Sequence, residues 1–218
     1  MVKLCIFDMD GTTVNTINSI AHFANNALNK YGLSSIDTEK YKIIVGNGAK
    51  VLIERAIELT GGTKEQFEKV LVEYNTTYDN DFMYLTEAYE GIIDMLTVLK
   101  EMGVESIILS NKPHSTALKV SDALFGEDLI KRCFGGRDGV PLKPDPQAVY
   151  EILELEGVKK EECVYIGDTS TDMKTGKSAG LFTVGVLWGF RGREELETSG
   201  ADVIISNPAE LIDIVKGR

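Results

Sequence analysis

Asp8-Met9-Asp10-Gly11-Thr12 places two carboxylates and a hydroxyl within five residues, directly after the apolar run Leu4–Phe7. In an extended chain, residues two apart project to the same side, so Asp8 and Asp10 share a face. Acids this close repel each other unless a cation or a shared proton relieves them. Mg²⁺ suits the pair, because it takes hard oxygen ligands and is commonly held by one or two carboxylates together with phosphate oxygens. A carboxylate in such a site can also act as a nucleophile and carry a phosphoryl group as an aspartyl-phosphate. Read alone, the pentapeptide also suits an acidic turn after an edge strand, so the other strand ends must decide.

Three of them carry polar groups. The run ending at Leu109 is followed by Ser110-Asn111-Lys112-Pro113. Pro113 suits the first turn of a helix, and Ser110 with the free N–H groups of such a start can bind an anion; a serine there also serves as a plain cap. Val140-Pro141-Leu142-Lys143-Pro144-Asp145-Pro146 is stiffened by three prolines. It aims Lys143, a compact cation suited to phosphate or to an anionic intermediate. Gly167-Asp168 ends a further apolar run, with Asp172 about one turn later. This repeats the clustering of oxygens for a hard cation, although an Asp cap followed by a surface acid has the same pattern.

These groups need a scaffold that gathers strand ends. Short apolar runs at Leu4–Phe7, 106–109, 164–166, 183–187 and Val203–Ile205 read as strands buried on both faces. Helical patterns separate the later ones, for example Ile92, Met95, Leu96 and Leu99, then Ala148, Val149, Ile152 and Leu153. Alternating strands and helices predict an α/β fold: an open, Rossmann-like parallel sheet with helices on both faces. Ligands of such sheets bind outside the carboxyl ends of the strands, where all four polar segments fall. The stretch 16–86 breaks the alternation. Its patterns predict helices over Ile17–Lys30, 49–59 and 64–79, and no strand. It reads as an all-helical cap domain over a core formed by 1–15 and 87–218.

At 218 residues the chain has ample length for a sizeable core. A net charge of −11 opposes a nucleic-acid surface, which needs a basic patch, and makes a metal and local cations necessary for an anionic ligand. Cys5, Cys133 and Cys163 show neither metal-site spacing nor a disulfide framework, which fits a reducing cytoplasm. Asp8 and Asp10 interrupt the only N-terminal apolar run, so no signal peptide is expected. No stretch has the length and apolarity for a membrane span.

Taken together, the four segments resemble the haloacid dehalogenase superfamily. Asp8–Thr12 is similar to its first motif, Ser110 to the second, Lys143 to the third, and Gly167-Asp168 with Asp172 to the fourth, in order over nearly the whole chain. The helical insertion resembles the C1-type cap. Within the superfamily the chain is most similar to phosphoglycolate phosphatases, through Val45-Gly46-Asn47-Gly48-Ala49, Ser110-Asn111-Lys112-Pro113 and Val186-Leu187-Trp188-Gly189-Phe190. It departs from that pattern at Thr13, Asn15 and Ser110, none of which removes a catalytic group.

The resemblance implies a Mg²⁺-dependent phosphatase acting on a small phosphorylated metabolite, as a cytoplasmic monomer or homodimer. Inorganic pyrophosphatase and sugar-phosphate mutase are the related alternatives. A non-catalytic protein that binds a phosphorylated ligand is a third, disfavoured by the intact acids. It also implies roles. Asp8 is the nucleophile and Asp10 the acid and base. Mg²⁺ is held by Asp8, the Asp10 carbonyl and Asp168, with Asp172 in support. Ser110 and the Asn111 N–H hold phosphate oxygens, Lys143 neutralises charge, and Gly11 and Thr12 offer further N–H donors. In the cap, Asn47 and Lys50 at a helix start are the expected readers of a substrate carboxylate. Arg55 is a second candidate for that carboxylate, with a solvated face as the other reading, and His22, His114 and Trp188 read as surface or packing residues.

Overall fold

A computed structural model describes residues 1–218. Six parallel strands form the main sheet in the order β5-β4-β1-β6-β7-β8. They are β1 (Leu4–Phe7), β4 (Glu105–Pro113), β5 (Arg132–Gly136), β6 (Cys163–Gly167), β7 (Phe182–Val186) and β8 (Val203–Ile205). Two further strands, β2 (Val14–Asn15) and β3 (Glu87–Ala88), pair antiparallel as a small ribbon. The helices are α1 (Ile17–Lys30), α2 (Thr38–Ile44), α3 (Ala49–Thr60), α4 (Lys64–Asn80), α5 (Ile92–Glu101), α6 (His114–Leu124), α7 (Gly126–Leu129), α8 (Gln147–Glu156), α9 (Ser170–Ala179), α10 (Arg193–Thr198) and α11 (Glu210–Lys216).

Both faces of the sheet are buried, and the two-residue period of a strand divides its side chains between them. Cys5 and Phe7 of β1 point into one apolar cluster with Ile92, Leu96 and Leu99 of α5. Leu4 and Ile6 point into the other, with Val149 and Ile152 of α8. All three cysteines are buried and unpaired. From β1 the chain proceeds to β4 and β5 on one side, then crosses to β6 on the other. The order therefore reverses between β1 and β6, the position where open α/β sheets leave a crevice beyond their carboxyl ends.

The chain leaves this layer at β2 and returns at β3. Between them α1–α4 enclose a cluster of their own, built on Phe23, Leu28, Tyr41, Ile53, Val70 and Tyr78. α3 ends at Gly61 in the left-handed conformation. α4 opens with a capping box in which Thr63 and Gln66 satisfy each other's backbone N–H groups. No helix is long and apolar enough to cross a membrane.

Four elements differ from the sequence expectation. α2 is an additional short helix, started by the Asp37 side chain accepting from the Glu39 N–H. β5 is an edge strand of sequence Arg-Cys-Phe-Gly-Gly, without the β-branched run that marks the others. The ribbon β2–β3 is too short for any periodicity. β4 continues through Ser110, Asn111 and Lys112 to Pro113, with a register shift between Leu109 and Pro113, so the helix begins only at His114.

Candidate active site

The polar groups meet at the carboxyl ends of β1, β4 and β6. Asp8 follows β1, Ser110 and Lys112 lie on the last turnless stretch of β4, and Asp168 follows β6. Suitable oxygens of Asp8, Asp168 and Asp172 all lie within 4.8 Å of one another, and all three residues are buried. Lys143 reaches them from the loop before α8. Its Nζ is 2.7 Å from Asp8 Oδ1 and 2.7 Å from Asp172 Oδ1.

One ammonium among three buried carboxylates leaves excess negative charge. Burial, and then the charge of Asp172, push the Asp8 carboxyl up to about 7 against the pull of Lys143. Burial, and then the charges of Asp172 and Asp8, raise Asp168 well above the ordinary carboxylate range. Burial alone would lower Lys143, but Asp172 and Asp8 outweigh it and hold the ammonium charged. A divalent cation is the natural relief, and the donor set fits one, being hard oxygens. Asp168 is held in place by two hydrogen bonds. Its Oδ1 accepts from the Thr12 hydroxyl at 3.1 Å and its Oδ2 from the Phe190 N–H at 2.8 Å. Asp172 has its second oxygen occupied by the Thr169 N–H and hydroxyl, at 3.1 and 2.6 Å. Its other oxygen is the one that meets Lys143.

Gly11 and Thr12 shape this arrangement from beneath. Gly11 has φ +94°, and a Cβ there would lie 2.3 Å from Asp168 Oδ2. Their N–H groups are already used, Gly11 to the Val14 carbonyl at 2.9 Å and Thr12 to that of Met9 at 3.2 Å. The expected extra donors to substrate are thus committed to the turn in this conformation. The Trp188 ring N–H caps the same turn, donating to the Thr12 carbonyl at 2.9 Å.

Above the acids a cavity of about 480 Å³ separates core from helical block. Asp8, Asp10, Ser110, Asn111 and Lys112 line it from below; Gly48, Leu52, Tyr74 and Tyr78 line it from above. Asn111 ties its walls together. Its side-chain amide donates to the carbonyls of Gly46 and Lys143, both at 3.0 Å, and accepts from the Lys143 N–H at 2.8 Å. Asn47 reaches across to the Thr171 hydroxyl at 3.4 Å. Lys50 does not face the cavity. It is exposed and absent from the lining, because the first turn of α3 presents Gly48 and Ala49 instead. Arg55 donates to the Ile44 carbonyl, and His114 Nδ1 accepts from the Gly135 N–H, so both act in packing.

Lys112 escaped the sequence reading. Its Nζ lies 3.0 and 3.2 Å from the two carboxylate oxygens of Asp10, and 4.5 Å from the centre of the Tyr78 ring. Thr16 completes the Asp10 shell, its hydroxyl donating at 2.8 Å. Continuing β4 by two residues past Ser110 was the available signal, since alternation then places Lys112 on the same side as Ser110.

The sequence profile of the haloacid dehalogenase-like hydrolases matches residues 5–186, from the start of β1 to the end of β7. The chain belongs to this family. A Haemophilus influenzae protein named phosphoglycolate phosphatase is 29% identical over 98% of this chain and 98% of its own length. A protein of the same name from Pseudomonas fluorescens is 31% identical, over 96% of this chain and 78% of its own. The crystal structure of a predicted phosphoglycolate phosphatase from Haemophilus somnus superposes with a TM-score of 0.91 at 26% identity, covering 98% of this chain and 97% of that one. The family membership makes the chain a hydrolase, and Asp8, Asp168 and Asp172 form a cluster that could hold a divalent cation.

Proposed function

We propose that the protein is a Mg²⁺-dependent phosphatase that hydrolyses a small phosphomonoester through an aspartyl-phosphate on Asp8, with phosphoglycolate as the favoured substrate. The observation that carries this is the pairing of Asp8 with Lys143 at 2.7 Å, beside two further buried acids and at the floor of the cavity. A carboxylate approaches a phosphate dianion only where the repulsion between them is neutralised. Lys143 does so from one side. Held by Asp8, the Asp10 carbonyl and Asp168, with Asp172 in support, Mg²⁺ would neutralise the phosphate from the other and fix its orientation. Ser110 and the Asn111 N–H receive phosphate oxygens. Lys143 leaves the second Asp8 oxygen for attack on phosphorus, and Asp10 protonates the departing oxygen. Asp10 then takes a proton from the water that hydrolyses the acyl phosphate.

The division of the chain into a core (1–15 and 87–218) and a cap (16–86) belongs to the same reading. The ribbon β2–β3 is then the hinge, and the cap closes on bound substrate to exclude bulk water. Phosphoglycolate is supported by the names of the relatives and by a cavity sized for a small molecule. Release of phosphate from p-nitrophenyl phosphate and phosphoglycolate with Mg²⁺, compared with Asp8→Asn, tests the proposal. Activity in the unmodified protein and none in the folded variant is expected. Undiminished activity in Asp8→Asn rules out the nucleophile. Assays with pyrophosphate and with sugar phosphates separate hydrolysis of a monoester from the related activities.

A further inference from the structure

Lys112 is the only lysine or arginine among the residues that line the cavity, which otherwise presents Asp8, Asp10 and Asp79. Its side chain is 6% exposed. A buried ammonium requires a permanent partner, since an unpaired one is strongly destabilising. Here the partner is Asp10, the group that must handle protons in the reaction proposed above. Asp10 is engaged by both this lysine and the Thr16 hydroxyl, and an anion entering the cavity would compete for the same lysine.

We infer that Lys112 is the specificity-determining residue that receives an anionic group on the leaving portion of the substrate, exchanging Asp10 for that anion on binding. The inference rests on the phosphatase reading and names the substrate class: short phosphomonoesters whose alcohol carries a carboxylate. One spacing bears on the length. Ser110, a phosphate ligand in that reading, and Lys112 are two residues apart on β4, and an extended chain advances about 6.6 Å over two residues. That spacing suits a phosphate and a carboxylate joined by one or two carbons. The Tyr78 ring beside Nζ holds the ammonium by its face as the partner changes. Lys50, exposed at the rim of α3, has no such position.

The test compares phosphoglycolate with ethyl phosphate, which has the same heavy-atom chain up to the second carbon but no carboxylate. The measured quantity is the ratio of their kcat/KM values, which is independent of the fraction of active protein. The unmodified protein is expected to favour phosphoglycolate by about tenfold to a hundredfold, the worth of one charged hydrogen bond. In Lys112→Met the ratio should collapse towards unity, mainly through a higher KM for phosphoglycolate. Lys112→Arg, which keeps the charge, should restore part of it. A ratio in Lys112→Met equal to that of the unmodified protein overturns the inference, as does an unmodified protein that hydrolyses both esters without preference. Failure of the unmodified protein to hydrolyse either of these esters or p-nitrophenyl phosphate overturns the phosphatase reading, and the inference with it.

Discussion

Replacing Gly11 with alanine should damage the metal site without touching a ligand. Two costs can be worked out. The backbone at Gly11 has φ +94°, a conformation that costs a residue with a Cβ about 1–2 kcal/mol. The new Cβ would lie 2.3 Å from Asp168 Oδ2, whereas ordinary contact begins at 3.4 Å, so the carboxylate must retreat by about 1.1 Å (3.4 − 2.3). That retreat breaks or stretches the hydrogen bonds from Thr12 and Phe190, each worth about 1.5 kcal/mol to a charged acceptor. The sum is about 4–5 kcal/mol, or roughly 10 °C in Tm for a chain of this size. Gly32→Ala is the control, because Gly32 has φ +79° and nothing within 4 Å of a Cβ. It should show the backbone cost alone, about 1–2 kcal/mol. Thermal unfolding with and without saturating Mg²⁺ gives both readouts. The Mg²⁺-induced rise in Tm should survive in Gly32→Ala and be largely lost in Gly11→Ala. If the two variants lose the same Tm and respond alike to Mg²⁺, Gly11 does not position Asp168 and the reasoning fails.

Other outcomes follow from the same geometry. In EDTA, Asp8 has a folded pKa of about 7, above its unfolded value near 4, so the folded protein binds the extra proton. Asp168 is raised in the same sense, so stability should fall as pH rises from about 4 through 7; Mg²⁺ should remove that fall, and a Tm independent of pH in EDTA contradicts it. Lys50→Ala should leave the KM for phosphoglycolate within about twofold, since the side chain is exposed outside the cavity; a large rise would return the cap lysine to the site. Asp10→Asn should slow p-nitrophenyl phosphate hydrolysis by about a hundredfold or more, the usual worth of general acid–base catalysis, and steady-state kinetics that show a normal kcat would remove Asp10 from that role. Ca²⁺ should inhibit, because it accepts more ligands at longer distances than Mg²⁺ and engages both Asp8 oxygens; equal turnover with either ion contradicts this.

The sheet was legible because most of its strands, buried on both faces, read as unbroken apolar runs, and the runs of β1, β4 and β6 lead into the polar groups. Asp8 and Asp168 could be placed from that alone, whereas Ser110, read as preceding a helix, lies within β4. Lys143 was legible for a different reason: prolines on either side of it restrict where the chain can go. What escaped was decided by contacts remote in sequence. β5 is held by pairing with β4 and needs little propensity of its own, so Arg-Cys-Phe-Gly-Gly gave no signal. Lys112 lies 102 residues from Asp10, and its one local signal, alternation with Ser110, is visible only once β4 is carried past Leu109. Lys50 failed in the opposite direction. A lysine next to a helix start looks placed for an anion, but the rotation of α3 turns it to solvent.

Phe190 joins two equilibria that would otherwise be separate. Its N–H holds Asp168, and its ring is buried in the cluster of the helical block. The next residue, Arg191, donates to the carbonyls of Ile43 and Val45 at the end of α2, at 2.9 and 3.2 Å. Under the proposed reading, a dipeptide anchored in both places would make occupancy of the metal site and docking of the helices reciprocal: whatever factor by which the ion favours the docked state, docking would favour the ion by the same factor. The protein would then need no separate sensor to tell the helical block that the core is loaded. It also follows that an opened cap should release its ion more readily, so that each cycle of opening presents a fresh choice between retaining the metal and exchanging it with the surrounding pool.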